Sequence, residues 1–99
     1  MKIKYLCTMW GMNLPTLEEG FTLIKDAGFD GVEMPVPGNR AERDRLGSLL
    51  NEIGLDLVVQ VRAVGSTVDE QIDFLGKELN STSGLNTLLT NVHCGKDYW

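Results

Sequence analysis

The chain has 99 residues, 42% hydrophobic and 23% charged, which suits one small domain with a packed core and excludes a disordered segment. Its net charge of −5 excludes the basic face that nucleic-acid binding requires. No apolar run reaches the length of a membrane span, and the N-terminal MKIKYLCTMWG shows no signal-type cleavage region. The two cysteines, Cys7 and Cys94, form no C-x-x-C motif and are expected as reduced thiols, so the chain is expected to be cytoplasmic.

Residues 2–9 alternate as a first strand, with Ile3, Tyr5, Cys7 and Met9 on one face and Lys4, Leu6, Thr8 and Trp10 on the other. After a loop at 11–15, Thr16 and Glu19 are spaced as a helix capping box. Leu17, Phe21, Ile24 and Ala27 then recur at helical spacing, and Gly28 supplies the left-handed stop. Residues 31–34 (GVEM) form a short second strand that Pro35 and Pro37 end. Asn39 caps a second helix whose buried stripe is Leu46, Leu49, Leu50 and Ile53, with Gly54 at its end. Residues 55–63 make the third strand. Ser66 with Asp69 opens a third helix, with Val68, Ile72, Leu75 and Leu79 as its apolar face. The fourth strand runs from about residue 87 to His93.

The order β-α-β-α-β-α-β predicts an α/β fold with a parallel sheet and right-handed crossovers. Ile3, Tyr5, Cys7, Val32, Met34, Leu57, Val59, Val61 and Val92 are expected to face the helices. The other face collects Thr8, Trp10, Glu33, Gln60, Arg62, Asn91 and His93 toward the strands' C-terminal ends. A doubly wound sheet, covered on both faces, has near-continuous apolar strands. A polar face at the C-terminal ends fits the inside of a TIM (β/α)8 barrel, of which four strands make half. Residues 1–99 therefore read as a single partial-barrel domain.

Three stretches carry a family resemblance: TLEEGFTLIKDAGFDGVEM, GLDLVVQVRAVGSTVDEQIDFLGKELN and TNVHCGKDYW. Together they resemble the N-terminal half of a xylose isomerase-like TIM barrel, of the sugar phosphate isomerase/epimerase group. The last stretch, with its N-x-H-x-G-x-D-Y-W pattern, is the most specific. The resemblance implies isomerisation or epimerisation of a sugar or polyol, by proton transfer next to a carbonyl assisted by a divalent metal (Mn, Mg, Co or Zn). The family's ligands lie on later strands, so no metal ligand is assigned in this chain and no cofactor is expected for it alone. His93 also resembles a zinc ligand of the related endonuclease branch. Arg62 stands where the matching subgroup often has a histidine, which counts against metal on the third strand.

His93, the one histidine, is an acid–base or substrate-contacting candidate, or else a histidine merely hydrogen-bonded at a strand end. Glu33 is a candidate general base, or else the ion-pair partner of Arg62. Trp10 is read as a wall for the carbon face of a sugar, or as core. Gln60, Arg62 and Asn91 are candidate substrate-binding groups, with interior packing the other role for Gln60 and Asn91. Four strands leave two open edges and a wet face carrying Leu6, Val58 and Leu89. The alternative reading is therefore a non-catalytic truncated or designed half-barrel, a homo-oligomer whose copies complete the sheet or barrel.

Overall fold

The computed structural model describes residues 2–9, 12–13 and 16–96. They form β1 (Leu6–Thr8), α1 (Leu17–Asp26), β2 (Gly31–Met34), α2 (Arg40–Ile53), β3 (Asp56–Arg62), α3 (Val68–Ser81) and β4 (Leu89–His93). Trp10, part of the 11–15 loop, and Asp97, Tyr98 and Trp99 lie outside the described residues. The four strands are all parallel, in the order β1-β2-β3-β4, so each helix crosses to the next strand along. No helix among the described residues is long and apolar enough to cross a membrane.

Each helix starts where a side-chain oxygen takes backbone N–H groups that the first turn leaves unpaired. Thr16 accepts from the Glu19 N–H at 3.2 Å, and Asn39 from Ala41 and Glu42 at 2.8 and 3.3 Å. The third helix corrects the expectation by one residue: Thr67, not Ser66, is its cap. The Thr67 hydroxyl accepts from the Glu70 N–H, and the Glu70 carboxylate accepts from the Thr67 and Ser66 N–H groups. Glu70 has the reach to close this box on both backbone donors. Beyond α1, the Gly28 N–H bonds the Lys25 carbonyl, and its φ of +95° turns the chain so that the Phe29 N–H bonds the Ile24 carbonyl.

The core lies between the helices and one face of the sheet. Phe21 and Ile24 of α1 and Leu46 and Leu50 of α2 pack on Val32, Met34, Leu57, Val59 and Val61. Cys7, Met9, Leu49 and Ile53 join its margin, as the alternation and helical spacing predict. Both cysteines are free thiols.

Four expectations fail. β1 is shorter than residues 2–9, and Ile3 and Tyr5 are exposed rather than turned to the helices. β2 begins only at Gly31, so pairing ends where Tyr5 exchanges bonds with Asp30, and residues 2–5 are exposed. Val92 is also exposed, since β4 is an edge strand. On α3 the buried side chain is Gln71, with Phe74 and Leu75 half-buried. Val68 and Ile72, 55% and 59% exposed, and Leu79 point elsewhere. Val58 departs in the other direction: it is only 3% exposed although its face carries no helix. It sits on an inner strand, between Glu33 and Leu89 in register.

Gly31 is the tightest point of the sheet. It lies between Leu6 and Asp56 in register, and a Cβ there would meet the Asp56 carbonyl and stand 2.7 Å from Leu6 Cδ2. Gly31→Ala is expected to lower stability by about 1–3 kcal/mol through overpacking, read as a fall in the urea midpoint. An unchanged midpoint would show that both the Asp56 backbone and Leu6 give way at no cost.

Candidate functional site

Strand register fixes which side chains share the helix-free face. With Val32, Met34, Leu57, Val59 and Val61 committed to the core, the period of two turns Glu33, Val58, Gln60 and Arg62 to the other side. Thr8, Glu33, Val58 and Leu89 form one row across the sheet. Gln60 and Asn91 form the next row, and Arg62 and His93 the last, at the C-terminal ends. The sequence-predicted Glu33, Gln60, Arg62, Asn91 and His93 thus lie on one face. Trp10 lies outside the described residues.

Glu33 and Asn91 meet directly. The Asn91 Nδ2 donates to Glu33 Oε1 at 2.8 Å, and both residues are half-buried. Glu33 pairs with Val58 and Asn91 with Gln60, so this bond spans β3 between those two residues. It corrects the expected ion pair: among the described residues Glu33 makes none with Arg62. Arg62 stands two rows beyond Val58, about 13 Å along the strand, and is exposed. A neutral amide one row away meets the half-buried carboxylate without desolvating a second charge. Lower on the same face, Lys4 and Asp56 form an ion pair at 2.6 Å, reaching across β2 beside Gly31.

The rim is different in character. The Arg62 and His93 side chains are exposed and make no hydrogen bond among the described residues. Their backbones are paired, with the Ala63 N–H donating to the His93 carbonyl at 2.7 Å. Beyond His93 the chain turns at Gly95, with φ of +92°. The Gly95 N–H donates to Gln71 Oε1 at 2.8 Å, and Gln71 Nε2 donates to the Gly65 carbonyl at 3.1 Å. Gln71 is the residue that sequence reasoning missed. The signal was a glutamine beside the apolar stripe of a helix, at a position that the stripe itself gave no reason to bury.

The face therefore offers a carboxylate, two amides, a guanidinium and an imidazole, a set able to hydrogen-bond hydroxyl and carbonyl oxygens. Among the described residues no three His, Cys, Asp or Glu side chains converge as metal ligands, so these residues do not fit the divalent ion that the resemblance implies. A groove of about 560 Å³ lies elsewhere, between α2 and the start of β3, lined by Asp44, Ser48, Asn51, Asp56 and Asn86. No protein-family model, curated protein or solved structure matches the chain.

Removing the amide in Asn91→Ala is expected to cost about 1–2 kcal/mol, because a half-buried carboxylate loses its donor. In a double-mutant cycle with Glu33→Gln, urea denaturation should return a coupling of about 1 kcal/mol. Strict additivity would show that the pair contributes nothing to stability.

Proposed function

We propose that this chain is the first half of a xylose isomerase-like (β/α)8 barrel, whose open face takes a sugar or related polyol for isomerisation or epimerisation. The observation that carries this reading is the gathering of Glu33, Gln60, Arg62, Asn91 and His93 on the helix-free face of a parallel sheet, toward the strands' C-terminal ends. Parallel α/β folds place their sites at those ends.

In this reading Glu33 is the general base that takes a proton from the carbon beside the carbonyl, and the Asn91 amide holds it in place. His93 exchanges a proton with a substrate oxygen at the rim. Gln60, Arg62 and Asn91 bind hydroxyls, and Trp10 walls the carbon face of the sugar. The divalent metal implied by the resemblance would draw its ligands from outside the described residues. Efficient turnover is not expected from these 99 residues alone.

The test is an NMR titration of the chain with a ketopentose, with and without Mg²⁺. Shifts should move at Glu33, Asn91 and His93, and Glu33→Gln should weaken the response severalfold. A flat titration at high sugar concentration, with the fold intact, would sink the reading.

A second reading is a non-catalytic half-barrel that self-associates. It is favoured by the two free sheet edges, β1 and β4, and by the exposed Ile3, Tyr5, Leu88, Leu89 and Val92 on or beside them. Light scattering behind size exclusion should then give a dimer mass that persists on dilution. A clean monomer at micromolar concentration would rule it out.

A further inference from the structure

Gln71 is 4% exposed, and its one amide group reaches two loops at the same end of the sheet. Its nitrogen holds the Gly65 carbonyl, in the loop after β3, and its oxygen holds the Gly95 N–H, in the turn after β4. The first loop is pressed onto α3: a Cβ at Gly65, where φ is +144°, would lie 2.7 Å from Glu70 Cβ and 3.0 Å from the Gln71 nitrogen. Glu70 fastens the same loop through the Ser66 and Thr67 N–H groups, at 2.6 and 3.2 Å. The opening of α3 is thus a fixed platform, and Gln71 is the part of it that extends to the neighbouring strand.

His93 lies two residues before Gly95. Its imidazole is exposed and has no hydrogen-bond partner among the described residues, so the backbone alone fixes where the ring is rooted. That backbone is held on one side by Ala63, through the His93 carbonyl, and on the other by Gln71, through Gly95. We infer that Gln71 is a positioning residue for the His93 turn, fixing where the imidazole stands over the open face through its bond to Gly95. The assignment of a site role to His93 rests on the reading above; the bond and its hold on the turn do not.

The side-chain chemistry makes the inference specific. Glutamine brings a donor and an acceptor to one buried point, and both are used. Glutamate keeps an acceptor for Gly95 but sets its other carboxylate oxygen against the Gly65 carbonyl, acceptor against acceptor. Methionine keeps the length and loses both. In the wild-type chain, NMR should detect a coupling across the hydrogen bond from the Gly95 amide nitrogen to the Gln71 side-chain carbonyl carbon. In Gln71→Met, Gly95 amide exchange should rise about tenfold, the equivalent of one lost hydrogen bond, and the His93 ring shifts should move. Gln71→Glu should disturb both as well, because the Gly65 carbonyl repels its carboxylate. No coupling in wild type would overturn the inference, whatever the variants do. So would Gly95 exchange and His93 shifts in a folded Gln71→Met equal to wild type. A flat sugar titration beside an intact Gly95–Gln71 coupling would count against the proposed function only.

Discussion

The structure depends on one topological constraint. Four parallel strands in sequential order, joined by right-handed crossovers, put every helix on the same side of the sheet. One face must then carry the whole core, and it does, with Phe21, Ile24, Leu46 and Leu50 packed on five strand residues. The other face receives no helix and must satisfy its polar groups within the sheet. A doubly wound order would have buried Glu33, Gln60 and Asn91 under helices, at a desolvation cost that apolar strands avoid.

The helix-free face meets that demand in layers. At the strands' start, Lys4 and Asp56 reach across β2, and the missing side chain at Gly31 leaves the space that Leu6 occupies. In the middle, Asn91 and Glu33 reach across β3, between Val58 and Gln60. At the C-terminal rim Arg62 and His93 stand exposed with no partner among the described residues. The two cross-strand contacts differ in kind. The Lys4–Asp56 pair is more than a third exposed on both sides, and water screens it. The Glu33–Asn91 bond is half-buried and uses a neutral donor. It therefore fixes the carboxylate while leaving its charge uncompensated by any cation among the described residues.

Much of this was legible in the residues. Local chemistry marked the helix starts at Thr16 and Asn39, the stop at Gly28, and the alternation that buries Val32, Leu57, Val59 and Val61. These signals act over a few residues, and nothing distant overrides them. What failed depends on partners far away in sequence. Glu33 found Asn91, 58 positions on, instead of Arg62, because register and not charge decides which side chains adjoin. α3 buried Gln71 and turned Val68, Ile72 and Leu79 outward. Apolar periodicity identifies a stripe but does not say which neighbour it meets, and Gln71 was drawn inward by two backbone groups that only the folded loops bring together. Thr67 displaced Ser66 because the longer Glu70 closes a box that Asp69 does not.

The outward stripe of α3 bears on the two readings of function. At 100° per residue, Val68, Ile72 and Leu79 are centred about 110° round α3 from the sheet-facing Gln71 and Phe74. With right-handed crossovers, that side turns away from α2, toward the space beyond β4. The same geometry applied to α1 turns Lys25 toward α2, and Lys25 does donate to the Gly54 carbonyl at the end of that helix. On β4, Leu88 and Val92 share the helix-side face and are also exposed. The exposed apolar side chains of α3, with Leu88 and Val92, thus lie on the helix side of the sheet at its β4 edge. Two copies closing edge to edge would pair β4 with β1 of the second copy, but each copy brings three helices for four strands. The seam would have paired backbones but would leave these apolar side chains uncovered. A further β/α unit laid against β4 satisfies the strand edge and the stripe together. The exposed side chains of α3 thus weigh toward the barrel reading and against a self-sufficient pair of halves.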